Sequence, residues 1–280
     1  MLLELAIGDA YGAGFEYANR QLIRQFNDLR HYSKHPRHSI HPGHYTDDTQ
    51  MTLAIVEAML SGEEWTPLYL AERFVTVFKR DPREGYASRF HAFLRHVENG
   101  EQFLAEIIPT SDKSGAAMRA VPIGLYPTIE QVIQRTTQQA IITHNTPDGI
   151  NAAIAAALMS HYFVYQLGPQ ASVGEFIESH VEGQWADPWT GQVGSKGWMS
   201  VKAAITAVQQ HTSLSEMLRA CIAYSGDVDT VATIALGAAS ASVEVKHDLP
   251  QPLINGLENG PYGRDYLIDL DRQLLAWKHK

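Results

Sequence analysis

Apolar residues recur along this chain at the three-and-four spacing of helices, and strand-like alternation bounded by hairpin turns is nearly absent. The spacing predicts helices over 2–13, 48–61, 67–80, 87–98, 101–107, 114–120, 129–143, 147–166, 172–179, 197–210, 213–223, 229–243 and 264–278, with ends good to a few residues. Several ends are spelled out. Thr66-Pro67, Thr146-Pro147 and Ser213 each place a capping oxygen just ahead of a helical pattern, while Gly62, Gly100 and Gly168 follow helical stretches. Three segments, 150–160, 201–208 and 231–243, are almost continuously small or apolar, which places them in the middle of a large bundle where backbones approach closely. No low-complexity linker, composition shift or fixed-period repeat interrupts the pattern. The expectation is an all-α fold with residues 1–280 forming a single compact domain.

With 280 residues, 45% of them hydrophobic, the chain can bury a large core. Only 19% are charged and the formal net charge is -9, so no global field draws the chain to nucleic acid or to an anionic membrane. An anionic ligand would need positive potential supplied locally. Cys221 is the only cysteine, which excludes an intrachain disulfide and points to a reducing cytoplasm. The opening Met1–Ile7 is apolar, yet it lacks a basic flank and runs into Gly8-Asp9, so it does not read as a signal peptide. The longest apolar stretch, Ile150–Tyr165, carries Asn151 and His161 and falls short of a membrane span. A soluble protein is expected.

Two segments carry most of the candidate chemistry, and each opens a buried-looking helix: Tyr45-Thr46-Asp47-Asp48-Thr49-Gln50-Met51 and Ser225-Gly226-Asp227-Val228-Asp229-Thr230-Val231. Taken singly, either is a helix cap, since Asp, Ser and Thr satisfy orphan amides and favour the dipole at a helix start. Together they bring four carboxylates toward a bundle interior, more than capping needs. Two bare carboxylates ~4 Å apart repel by roughly 4 kcal/mol at an effective dielectric of 20, a large share of a typical stability of about 5 to 15 kcal/mol. Divalent cations remove that repulsion. The ligands are hard oxygens with no His or Cys among them, so the metals expected are Mg²⁺ or Mn²⁺ and not Zn²⁺.

Beyond these segments the order of motifs is informative. Gly8-Asp9-Ala10-Tyr11-Gly12 with Glu16, the Tyr45–Met51 segment, Gly115-Ala116-Ala117-Met118-Arg119, Thr143-His144 and Gly226-Asp227-Val228-Asp229-Thr230 together resemble the motif set of the ADP-ribosylglycohydrolases, over about residues 3 to 240. The resemblance implies an all-α orthogonal bundle with a binuclear centre of two Mg²⁺ or Mn²⁺ ions, held by Thr46, Asp47, Asp48, Asp227, Asp229 and Thr230. It further implies that the metals hold ribose hydroxyls and a water, with Glu16 or a carboxylate among Asp47, Asp48 and Asp229 orienting or deprotonating that water. Such an apparatus would stand in for the two carboxylates of ordinary glycosidases.

On the substrate side, Ser114, Gly115 and Ala116 match the family loop that receives the diphosphate, where unpaired amides face an anion. Relatives usually show Gly-Asn-Gly where this chain has Lys113-Ser114-Gly115, so Ser114 is left to substitute for the Asn. His144 matches a histidine beside bound ADP-ribose, and Asp81 a carboxylate implicated in recognising an arginine guanidinium. The implied reaction is removal of ADP-ribose from a modified protein, arginine being the expected acceptor, with ADP-ribose as product. Serine-linked or small-molecule ADP-ribose derivatives, or ADP-ribose binding without chemistry, are the alternatives. The run His31, His35, His38, His41 and His44 is interrupted by Pro36 and Pro42 and is expected to be a solvated loop, while Cys221 falls in an apolar helix as a small hydrophobe.

Overall fold

A computed structural model describes residues 1–278, 60% of the chain being helical. In order the helices are α1 (Leu2–Ala13), α2 (Arg20–Phe26), α3 (Asp47–Ser61), α4 (Pro67–Arg80), α5 (Ser88–His96), α6 (Gly100–Glu106) and α7 (Ile129–Ala140). They continue with α8 (Pro147–Val164), α9 (Val173–Glu178), α10 (Gly197–Gln210), α11 (Leu214–Ala223), α12 (Val228–Ala239), α13 (Gln251–Gly256) and α14 (Arg264–Lys278). There is no sheet among the described residues, only isolated bridges such as Thr110 with His144 and Val193 with Gly226. No helix among them is long and apolar enough to cross a membrane.

Where the sequence is apolar on every side, the helix is central. All of α12 is buried, as are Leu5–Ala13 of α1 and Ala152–Phe163 of α8. Helices α1, α8, α10 and α11 pack around α12, and buried side chains from Leu2 to Leu274 form one connected apolar core. Each fully buried Leu or Ile there contributes about 1.5 to 3 kcal/mol. Helix starts follow their caps: Thr66 accepts from Tyr69 N at 3.1 Å, Thr146 from Gly149 N at 3.1 Å and Ser213 from Glu216 N at 3.2 Å.

The expected helix over 114–120 is instead a 3-10 turn at Ser114–Ala116, followed by a second at Val121–Leu125. Gly115 weakens the first turn, and Pro122 forbids the bond back to residue 118, so tight three-residue turns replace an α-helix. Helices α2 and α13 were not expected, having only one or two turns of pattern each; α2 is nevertheless capped by Asn19, which accepts from Leu22 N at 2.8 Å.

In the interior, α1 packs with its backbone directly against the start of α12. A methyl group on Gly12 would lie 2.3 Å from Asp229 Cα. Gly12→Ala is therefore expected to destabilise the protein by at least about 1 to 3 kcal/mol in denaturant melts. Gly260→Ala, where nothing lies within 4 Å, should stay within about 0.5 kcal/mol. Equal effects of the two changes would contradict this packing.

Candidate metal centre and substrate cleft

Helix α1 delivers Asp9 to the N-terminus of α3, and Asp9 is fully buried there. Its Oδ1 accepts from Thr46 Oγ1 at 2.8 Å, and its Oδ2 accepts from Thr46 N, Thr49 N and Thr49 Oγ1 at 2.9, 2.9 and 2.6 Å. A carboxylate at a helix start fits both the orphan amides and the dipole. The consequence for Thr46 is specific. Its hydroxyl hydrogen is committed to Asp9, so Oγ1 can only accept further bonds, and among the described residues it has only a long 3.5 Å contact from Asp48 N.

Beyond Thr46, the first turn of α3 presents Asp47, half-buried, and Asp48, buried. Asp48 Oδ1 has no hydrogen-bond partner among the described residues. Across from it, α12 begins after the turn Ser225-Gly226, with Asp227 at its N-cap and Asp229 and Thr230 in its first turn, all buried. Ser200 Oγ of α10 donates to Asp227 at 3.3 Å. Glu16 reaches the same place from the loop after α1. Tyr17 N donates to Gly226 O at 2.8 Å and His35 Nε2 to Glu16 O at 2.7 Å, which pins that loop from both sides. Glu16, Asp227 and Asp229 each offer a carboxylate oxygen within 4.8 Å of the others.

Burial first, and then mutual repulsion, push these carboxyls up: Asp47, Asp48 and Asp229 well above the ordinary carboxylate range, and Glu16 to about 7. Asp9 and Asp227 are also raised, by burial, with their hydrogen bonds opposing the shift. An unpaired buried oxygen on Asp48, a hydroxyl whose proton is already placed on Thr46, and a ring of oxygen donors without nitrogen or sulfur fit a hard divalent cation. The cluster can hold metal.

The cluster forms one wall of a cleft of about 540 Å³. Its lining includes Glu16, Asp47, Asp48, Asp227, Asp229 and Thr230 on that wall, and Ser114, Gly115 and His144 further along. Thr46 is buried and is not among the lining residues. The lining also includes the apolar side chains Phe90, Phe93, Ile107 and Ile108. Gly115 rests on the His144 ring, where a methyl group would come within 2.9 Å of Cε1.

Two of the expected substrate residues lie elsewhere. The Ala116 side chain is buried behind the loop, and its carbonyl accepts from Gln139 Nε2 at 3.0 Å. Asp81 does not reach the cleft wall: its Oδ2 is gripped by the chain's own Arg83, through Nε at 2.9 Å and Nη2 at 2.6 Å. An Asp two residues before an Arg across a Pro turn satisfies itself locally, and a free guanidinium would have to displace that pair. Arg83 in turn stacks on Tyr45 at 3.9 Å and pairs with Glu258, which also accepts from Tyr45 N at 3.0 Å. Asp81 thus belongs to a clamp that holds residues 81–86 beside Thr46 and Asp47, against which Gly85 is pressed.

Sequence reasoning assigned no role to Asp9 or Glu258. Asp9 had a signal, being an acid inside an apolar helical run; Glu258 had none, since only the fold brings it 213 residues back to Tyr45. In the histidine run, His35 is buried and not solvated, while His31, His38, His41 and His44 are exposed. Its Nδ1 accepts from Arg37 N and His38 N at 3.0 and 3.1 Å, so it serves the Glu16 loop and not a metal.

Similar proteins carry related names. ADP-ribosylhydrolase ARH3 of Xenopus tropicalis is 31% identical over 194 residues, 63% of this chain and 53% of that one, so the match spans about half of that relative's length. ADP-ribosyl-(dinitrogen reductase) glycohydrolase of Rhodospirillum rubrum is 24% identical over 268 residues, 91% of this chain and 88% of that one. ADP-ribosylarginine hydrolase Tri1 of Serratia proteamaculans is 19% identical over 278 residues, covering 91% and 74%. A solved structure, an ADP-ribosylglycohydrolase-related protein complex, shares the fold with a TM-score of 0.73 at 21% identity, covering 99% of this chain and 95% of that one. The family model described as ADP-ribosylglycohydrolase matches residues 1–279, and the chain belongs to that family.

Proposed function

We propose that this protein hydrolyses the bond joining ADP-ribose to a protein side chain, and that two Mg²⁺ or Mn²⁺ ions sit at its carboxylate cluster. The observation that carries the proposal is the buried, unpaired Asp48 Oδ1 close to the proton-committed Thr46 hydroxyl, at the wall of a cleft of about 540 Å³. Thr46, Asp47, Asp48, Asp227, Asp229 and Thr230 are the proposed metal ligands. Bound there, divalent cations supply the positive charge that clamps vicinal ribose hydroxyls and acidifies water.

The chain's own groups do the rest. Glu16, held at the cleft with its carboxyl pushed to about 7, is matched to accept a proton from the attacking water near neutral pH. The carboxylates of Asp47, Asp48 and Asp229 favour the positive charge that grows on the ribose as the bond to the leaving group stretches. The Ser114–Gly115 turn and His144 line the cleft where the diphosphate would lie, and Phe90 and Phe93 offer the flat apolar surface an adenine base needs.

With Asp81 engaged by Arg83, arginine as the acceptor rests on net charge. The cluster's six carboxylates (Asp9, Glu16, Asp47, Asp48, Asp227, Asp229), when ionised, outweigh two divalent cations by two negative charges (−6 + 4 = −2), and that excess favours a cationic guanidinium over a neutral serine. A cytoplasmic site of action is proposed on the single cysteine, Cys221, which is free and buried.

Chelation is expected to abolish release of ADP-ribose from arginine-modified protein, and Mg²⁺ or Mn²⁺ to restore it. Asp48→Asn and Asp229→Asn should each cost at least ~100-fold in turnover while leaving the metal-free protein as stable as before or more so. Full turnover in a thoroughly metal-free preparation would sink the proposal. Asp81→Ala is expected to lower arginine- and serine-linked turnover together, by about tenfold, through the loosened clamp. A loss confined to the arginine-linked substrate would return Asp81 to the acceptor site.

Stability should also depend on pH in a metal-sensitive way. A carboxyl raised on folding contributes stability below its ordinary pKa and loses it as pH climbs through its folded value, which for Glu16 is about 7 and for Asp47, Asp48 and Asp229 is shifted the same way. The lowered histidines His35, His144 and His161 act oppositely, but their effect is complete above their ordinary value near 6.5. From pH 7 to 8 the metal-free protein should therefore melt at falling temperature, and Mg²⁺ should flatten the trend. A rising melting temperature over that window without metal would count against a repulsive cluster.

A further inference from the structure

Arg119 is among the largest side chains buried in the core, 1% exposed, and no carboxylate pairs with it among the described residues. Burial lowers its pKa to about 9, so it keeps its charge at neutral pH. The guanidinium lies 4.4 Å over the Phe74 ring and donates through Nε to Gln139 Oε1 at 2.5 Å. Its Nη2 donates to Gln139 O at 3.1 Å and to Thr143 Oγ1 at 2.9 Å. Arginine can only donate. Thr143 Oγ1 is therefore an acceptor on that side, and the cation beside it turns the hydroxyl hydrogen away.

The other polar neighbour of that hydroxyl is His144 Nδ1, at 2.7 Å. With the hydrogen placed on that contact, which leaves no orphaned hydroxyl proton, Nδ1 accepts and the ring carries its own proton on Nε2. Nε2 makes no hydrogen bond to a described residue and faces the substrate loop, where a methyl group on Gly115 would stand 3.2 Å from it. Protonation of Nδ1 as well is opposed by burial and by Arg119, which hold the His144 pKa down to about 3. The same network reaches the back of that loop, since Gln139 Nε2 donates to Ala116 O at 3.0 Å.

We propose that Arg119 and Thr143 are positioning residues that lock His144 in its Nε2–H tautomer, making the ring a neutral donor to an anionic diphosphate oxygen over the Ser114–Gly115 turn. The ligand in this statement rests on the ADP-ribose reading of the cleft; the tautomer does not. A buried imidazole is thereby given one defined function, donation from Nε2, and is withdrawn from both proton transfer and ion pairing.

Long-range proton–nitrogen NMR correlations on ¹⁵N-histidine-labelled protein report the tautomer directly, without ligand or metal. In the native protein His144 is expected to show a bare Nδ1 and a protonated Nε2, unchanged from pH 6 to 8. Thr143→Val keeps the shape but removes the hydroxyl. It should release the tautomer preference and weaken ADP-ribose binding by about tenfold, with kcat at saturation changed less. Thr143→Ser should restore both. A protonated Nδ1 in native protein that binds ADP-ribose would overturn the relay alone. The expected tautomer in protein that does not bind ADP-ribose would overturn the donor role together with the reading of the cleft. Thr143→Val with native tautomer and native affinity would overturn the assignment of Thr143.

Discussion

Asp9, Asp48, Asp227 and Asp229 are buried in one cluster with Glu16 and Asp47 at its edge, and the repulsion among those charges is the constraint the rest of the structure answers to. Each element around the cluster reduces that cost in a recognisable way. The starts of α3 and α12 aim their positive ends at it, Asp9 is saturated by donors from Thr46 and Thr49, and burial raises the carboxyls in the direction that favours their neutral forms. What is left over is an orphan oxygen on Asp48 and accepting capacity on the Thr46 hydroxyl, and these define where a cation is wanted.

The small-residue packing of the core serves the same end. α1 can bring Asp9 in only because Gly12 lets its backbone lie against Asp229, so the two acids and both helix starts meet within one tight crossing. Around this rigid centre the loops are held by single, well-placed side chains. His35 and the Gly226 carbonyl hold Glu16, Glu258 and Arg83 hold the 81–86 segment, and Gln139 with Arg119 holds the loop at Ser114–Ala116. The cleft lining then combines acidic and apolar side chains, as a ligand that carries both a sugar and a base would require.

Much of this was legible in the sequence where one segment suffices to state it. The periodicity of α1, α8 and α12 and the caps at Thr66, Thr146 and Ser213 are local facts, and so are the paired acids that open α3 and α12. The 114–120 segment was misread because a Gly before a short apolar run resembles a helix start, whereas Pro122 makes 3-10 turns of it. The Asp81–Arg83 pair was not foreseen because a motif does not say whose guanidinium its carboxylate will find, and here Arg83 is two residues away. Partners such as Glu258 for Tyr45, or Arg119 for Thr143, are set by tertiary packing and leave no mark on spacing.

The central claim is that the two acidic helix starts form one centre for two divalent cations. Equilibrium dialysis of Mn²⁺ against the protein, with bound metal counted by electron paramagnetic resonance, tests it without any assay of turnover. About two Mn²⁺ per chain are expected, with occupancy lost on Asp48→Asn in α3 and equally on Asp229→Asn in α12. No saturable Mn²⁺ binding, or full native occupancy in either variant, would contradict it.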